Sequence, residues 1–278
     1  WNGCWMTGAS KRFRDPTKSW LELTTSHVSH CCDESTADMR QLVPLKISRS
    51  LLGVAGVSSS CHHLERVPRK NRLLVVSNHR SLFDAPLLMR AIGRPVRFVC
   101  HHYMSQVPLL QQATMIMGAF PLESGQGCQA SFFRKSARLL HSNQVVGVFP
   151  EGADPMVHVK SPHQLSPFHR GFAHLALRVP VDDLAILPVA IASRDEKLRK
   201  LAPLEWFRHF DPSEALFQGD GWHSAVIYRH VDIFFGQPLL IDKGLRSQYR
   251  GHGGAAVVKE ITQVCWSQIA DFLSHACC

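Results

Sequence analysis

No run of this sequence approaches the roughly 18 uninterrupted apolar residues that a membrane-crossing helix requires, so no spanning anchor is expected. Missing as well are H-E-x-x-H, G-x-S-x-G, G-x-x-x-x-G-K-[ST], and a G-x-G-x-x-G at a strand end. Those absences argue against zinc-protease, serine-hydrolase, P-loop and dinucleotide chemistry. The nine cysteines include no C-x-x-C pair and are odd in number. That speaks against a disulfide framework and for a reducing compartment. His62-His63 and His101-His102 are adjacent pairs without further ligands at metal spacing, so no metal is expected. The basic stretch Arg66–Arg72 lacks the interleaved aromatics of a single-strand nucleic-acid platform, and no nucleic-acid partner is expected. No internal repeat or low-complexity tract is visible. The first residue is Trp1 and not methionine, so the expectation is a fragment, a processed product or an incomplete reading, with any targeting signal lost.

What remains is a chain of 278 residues with 45% apolar and 19% charged residues, enough for one large core. Its net charge of +9 suits an anionic surface, nucleic acid or acidic lipid, and does not choose between them. Residues 1–45 show no sustained period; Lys11, Arg12, Arg14 and Lys18 cluster before Asp33, Glu34 and Asp38. They read as a leader, poorly ordered or helical, or as the remnant of a transit segment, with the domain proper at 46–278. Apolar residues from Leu42 to Val57 suggest a helix, and His62–Arg72 an entry loop. From Leu73 strand-like runs (Leu73–Val76, Val96–Cys100, Ala119–Leu122, Val145–Phe149, Leu184–Ile191) alternate with helix-like ones (Ala85–Ile92, Val107–Met117, Gln129–His141, Phe172–Val179). That alternation indicates an α/β fold, a mostly parallel sheet flanked by helices. Val226–Phe235 reads as a later strand, and Val257, Ile261, Val264, Ile269 and Phe272 mark one face of a closing helix. Arg194–Trp222 is irregular and aromatic-rich: a lid, a membrane-facing insertion or a packed excursion.

Polar groups collect at the ends of these strands. Leu73–Asp84 reads L-L-V-V-S-N-H-R-S-L-F-D, which sets His79 at the carboxyl end of a strand, where ligand sites of open α/β sheets lie. On an ideal helix a five-residue offset would turn Asp84 roughly 140° away from His79. The pair meets only if His79 lies in the turn before the helix, as the Ser77-Asn78 turn chemistry allows. It then fits either a general base held by a carboxylate or a hydrogen-bonded structural histidine. Val148-Phe149-Pro150-Glu151-Gly152 is a second strand end with a carboxylate at its mouth, either ligand-facing or a solvated turn glutamate. Phe168-His169-Arg170-Gly171 opens a helix with an arginine suited to an anionic group. Leu187-Pro188-Val189 is an apolar strand broken by proline.

Together and in this order these stretches resemble the glycerolipid acyltransferases, the family of lysophosphatidic acid acyltransferases and tafazzin. Asn78, His79 and Asp84 match N-H-x-x-x-x-D; Phe149, Pro150, Glu151 and Gly152 match F-P-E-G. Phe168, Gly171, Leu175 and Ala176 match F-x-x-G-x-x-x-L-A, and Leu187, Pro188 and Val189 loosely match V-P-[VI]. The resemblance implies a glycerol-phosphate acyltransferase-like fold and acyl transfer from acyl-CoA or acyl carrier protein to a lysophospholipid hydroxyl. It further implies no cofactor beyond that co-substrate, His79 as base oriented by Asp84, and Asn78, Arg80, Ser81, Phe149, Pro150, Glu151, Gly152, Arg170 and Gly171 as substrate-binding. A peripheral position on a membrane, plastid or bacterial inner membrane, follows from acyl-chain substrates. Two departures bear on the acceptor. Ser124 stands where the second motif carries arginine, and Ala153-Asp154 follow Gly152 where the third usually has T-R. Arg80 and Arg170 are the expected substitutes. The competing readings are a catalytically weak lipid-binding relative and an α/β hydrolase, the latter without an evident nucleophile.

Overall fold

The computed structural model describes residues 34–100, 104, 111–112, 114–115, 117–122, 127–152, 155, 161–210 and 222–276. Strands β1 (Ser58–His62), β2 (Arg72–Ser77), β3 (Val96–Cys100), β4 (Phe120–Pro121), β5 (Val145–Val148), β6 (Leu184–Pro203), β7 (Trp222–Phe235) and β8 (Leu239–Ile241) form a sheet in the order β1-β7-β6-β2-β5-β3-β4, with β8 also on β6. Pairing is parallel except where β6 meets β7 and β8. Helices are α1 (Glu34–Val54), α2 (Asp84–Ile92), α3 (Cys128–His141), α4 (Gly171–Arg178), α5 (Leu204–Phe210), α6 (Lys243–Arg250) and α7 (Gly254–His275). The mostly parallel, helix-flanked sheet expected from the alternating pattern is present.

The central strand β2 shows why the sheet is sandwiched. Its residues alternate faces, and both faces are apolar: Leu73 and Val75 pack with α1 and α2, Leu74 and Val76 with α3, α4, α6 and α7. A β-branched run buried on both sides is the sequence form of an interior parallel strand. Met89 and Leu52 complete one layer; Phe172, Val258 and Cys265 complete the other.

Several expectations need revision. The helix read from Leu42 begins at Glu34 and runs unbroken through the 45/46 boundary, despite Pro44 within it. Leu45 and Leu52 are buried against the sheet, and Ser48 Oγ donates to the Pro44 carbonyl at 2.7 Å, so tertiary packing holds an element whose apolar period is weak. His62–Arg72 is not wholly loop, since β1 reaches His62. Arg194–Trp222 is in large part strand and helix: β6 continues to Pro203 and β7 begins at Trp222, an antiparallel extension with register shifts between Ser193 and Glu196. Those irregularities break the alternation that would have announced a strand. The expected helix Val107–Met117 and the rest of the leader fall largely outside the described residues, although 111–112 and 114–115 are helical. Among the described cysteines Cys61, Cys100 and Cys265 are free, whereas Cys128 is disulfide-bonded, a bond that the scattered spacing does not announce.

Candidate active site

Strand register brings the first two motifs together. Val76 of β2 pairs with Val148 of β5, and each strand gives its polar residue three positions later, His79 and Glu151. The chains leave the sheet side by side, so the His79 main-chain N–H donates to Glu151 Oε1 at 3.0 Å. The Ser166 N–H donates to Oε2 at 2.7 Å, and Trp266 of α7 fastens the Ser166 carbonyl at 3.0 Å. Burial pushes the Glu151 carboxyl above its ordinary range, against the opposing pull of the Ser166 and His79 N–H donors. Gly152 closes this turn at φ 79°, in the left-handed region, with its N–H on the Phe149 carbonyl.

Asn78 extends the sheet where β2 ends. Its side chain donates to the Ile191 carbonyl at 2.9 Å and accepts from the Ile191 N–H at 2.8 Å, standing in for a main-chain pair. With Asn78 fixed to β6, His79 is delivered into the turn before α2 at a set position. Asp84, the first residue of α2, is fully buried, and its Oδ2 meets His79 Nδ1 at 2.9 Å. The same oxygen accepts the N–H groups of Arg80 at 2.6 Å and Ser81 at 2.8 Å. Oδ1 accepts the Tyr228 hydroxyl at 2.8 Å. Both oxygens of this buried carboxylate at the start of α2 are thus supplied with hydrogen-bond donors. The His79 ring retains 19% side-chain exposure and lies on Phe149, centroids 4.0 Å apart and planes 9° apart.

The other expected residues divide. Ser81 is buried and its hydroxyl donates to the Val226 carbonyl at 2.6 Å, a scaffold contact. Arg80 is nearly buried and forks onto Glu196, Nη2 to Oε1 at 2.5 Å and Nε to Oε2 at 3.3 Å. Its guanidinium therefore has a carboxylate partner from β6 where an acceptor phosphate was expected. Pro150 offers its carbonyl to the His169 N–H at 2.9 Å, which ties the Phe168–Gly171 stretch to the Glu151 turn. Arg170 is exposed beside buried Gly171 at the start of α4. Tyr228, Glu196, Ser166 and Trp266 escaped the sequence reading. Tyr228, Glu196 and Trp266 each act across 100 residues of chain or more, Ser166 acts through its main chain, and a lone tyrosine in an apolar strand carries no local sign. Among the described residues no cluster of His, Cys, Asp and Glu could hold a metal ion.

Fold and site define a mostly parallel α/β domain with a histidine–carboxylate pair at the end of a central strand. Residues 58–192 match the family model described as Acyltransferase. A 1-acyl-sn-glycerol-3-phosphate acyltransferase of Borreliella burgdorferi is 23% identical over 109 residues, 39% of this chain. The matched region spans 42% of that relative's length. The crystal structure of the 1-acyl-sn-glycerophosphate (LPA) acyltransferase PlsC from Thermotoga maritima superposes with a TM-score of 0.55 over 87% of this chain and 83% of that one. At 15% identity that likeness speaks for the fold alone.

Proposed function

We propose that this chain transfers a fatty acyl group from a thioester, acyl-CoA or acyl carrier protein, to the hydroxyl of a lysophospholipid at a membrane surface. The observation that carries the reading is the His79–Asp84 contact at 2.9 Å in the turn before α2. With Nδ1 engaged by a buried carboxylate, Nε2 is the nitrogen that meets the acceptor. It takes the hydroxyl proton as the acceptor oxygen attacks the thioester carbonyl carbon. The carbon–sulfur bond then breaks, and the leaving thiolate recovers the proton from the imidazolium that Asp84 has stabilised. No acyl-enzyme intermediate is required, because the acceptor is itself the nucleophile.

Arg170, exposed at the start of α4, is the proposed contact for the acceptor phosphate, Ser124 standing at the second-motif arginine position and Arg80 engaging Glu196. A lysophosphodiester acceptor suits a site with fewer cations than a phosphomonoester would call for.

For docking, the β6–β7 extension exposes Leu198 and Trp222 with Lys197, Arg199 and Lys200, and α5, which follows β6, exposes Trp206. Apolar side chains amid cations suit the interface of an anionic bilayer. No helix among the described residues is long and apolar enough to cross a membrane, so docking is proposed as peripheral.

The test is transfer of labelled acyl chains from acyl-CoA and from acyl carrier protein to a panel of lysolipids, with His79→Ala beside the native chain. The proposal expects acceptor-dependent product that falls by about 10²-fold or more in the variant. Lipid binding without turnover would make the chain a non-catalytic relative, and free fatty acid released without acceptor would make it a hydrolase.

A further inference from the structure

Resting on the reading of His79 as the base, we infer that Tyr228 is a positioning residue of that reaction, acting through Asp84 to aim the His79 ring and set its basicity. Tyr228 is 1% exposed on β7, in the middle of the apolar layer under α2, and its hydroxyl donates to Asp84 Oδ1 at 2.8 Å. The other Asp84 oxygen serves His79 and the Arg80 and Ser81 N–H groups. The carboxylate is thus clamped at both ends: α2 and its turn hold Oδ2, and a strand 144 residues away holds Oδ1. Rotation of the carboxyl plane, which would swing Oδ2 off Nδ1, breaks the tyrosine bond.

The tyrosine is a committed donor. Burial, with the negative charge of Asp84 beside it, holds its hydroxyl proton far above the ordinary phenol range. The donated proton also draws charge from the carboxylate. Removing it leaves more of that charge facing the imidazole N–H and raises the proton affinity of His79. The charged groups around the dyad are Asp84 at the ring, Glu151 on the His79 main chain, and the Arg80–Glu196 pair behind the turn. All of them stay in place when the phenol oxygen alone is deleted. Tyr228 is joined on the same face by the Ser81 hydroxyl on the Val226 carbonyl, so β7 holds the catalytic turn at two successive inward positions.

Tyr228→Phe keeps the ring and tests the bond. The imidazole pKa of His79, read by nitrogen-15 NMR titration, should rise by roughly 0.5–1 pH unit. The acid limb of kcat/KM should move to higher pH by the same amount. At the pH optimum kcat should fall about 10-fold with the KM of both substrates little changed. In an Asp84→Asn background the same substitution should have little further effect, because its route to His79 is gone. Site-specific 3-fluorotyrosine at 228 retains the ring volume and the bond while strengthening the donor, so the His79 pKa should fall. It also serves where the phenylalanine variant does not fold. A His79 pKa unmoved in both variants, or a full Tyr228→Phe effect persisting in Asp84→Asn, would overturn the inference. The NMR arm needs no substrate, so loss of the acyl-transfer reading would appear as an inactive native enzyme and leave the titration to decide on Tyr228.

Discussion

The His79 ring rests flat on Phe149, and Phe149 rests flat on Phe98, with centroids 4.9 Å apart and planes 8° apart in the second contact. The stack ends at Gly147, where a β-carbon would come within 2.3 Å of Phe98 Cε1. Gly147 therefore leaves room for Phe98, which backs Phe149, which in turn backs the proposed base His79. Gly147→Ala must push Phe98 into Phe149 and tilt His79. Overpacking of this kind costs about 1–3 kcal/mol, and Tm should fall by roughly 2–4 °C for each kcal/mol. Under the proposed role of His79, a displacement of its ring by a fraction of an ångström should lower kcat at least about 10-fold. Phe98→Leu in the same chain makes space for the methyl group and should recover part of both losses. A Gly147→Ala protein with native melting and native turnover would remove the stack from the account of catalysis.

Glu151 gives a pH signature in stability. Burial raises its pKa in the folded protein, so the fold keeps the proton at pH values where the unfolded chain has lost it. Its contribution is fully present below the ordinary carboxylate value, about 4.3, and is lost as the pH rises through the folded value. Glu151→Gln does not titrate and shifts stability by a constant. The Tm of the native protein minus that of the variant should therefore shrink, or change sign, between about pH 4 and neutrality. Scanning calorimetry across that range provides the measurement, and a difference that widens with pH would contradict the raised value.

Arg80 and Glu196 form a nearly buried fork, and cutting one side leaves a charge without its counterion. Glu196→Ala should cost about 3 kcal/mol, more than the Arg80→Ala, Glu196→Ala double variant, in which no orphan charge remains. Chemical denaturation of the full cycle reports the coupling. Additive single effects would mean that the pair is held apart by water in solution.

The sequence carried the parts of the site that are local and left out the parts that act across the fold. Alternating apolar runs announced β2, β5 and the first half of β6, because interior parallel strands are apolar on both faces. Asn78, His79 and Glu151 could be named because each follows a strand end within a short motif, and Asp84 because it opens the next helix within the first of them. The partners that fix them could not: Glu196 lies where register shifts broke the alternation of β6, Tyr228 is a lone tyrosine in an apolar strand, and Ser166 acts through its main chain, which a side-chain motif does not encode. Arg80 shows what a local motif leaves out. Its guanidinium suits phosphate in isolation, and only the tertiary fold reveals that Glu196 meets it first.

The β6–β7 extension has an inner and an outer part. Its inner part reaches the catalytic turn through Tyr228 and Glu196, and its outer part exposes Leu198 and Trp222 beside Lys197, Arg199 and Lys200, with Trp206 exposed on α5 after β6. Lys200 Nζ stands 5.9 Å above the Trp222 ring, so one of these cations already shares an aromatic face. Each basic side chain near an anionic bilayer contributes about 1 kcal/mol. Replacing Lys197, Arg199 and Lys200 together by glutamine should weaken binding to phosphatidylglycerol vesicles by on the order of 10²-fold. Trp206→Ser with Trp222→Ser should weaken binding to vesicles of any charge, since it removes apolar insertion and leaves the charge in place. Sedimentation with anionic and with neutral vesicles at two salt concentrations separates these contributions. Unchanged partition of both variants into anionic vesicles would place the docking face elsewhere on the molecule and leave the extension as a support for the catalytic turn alone.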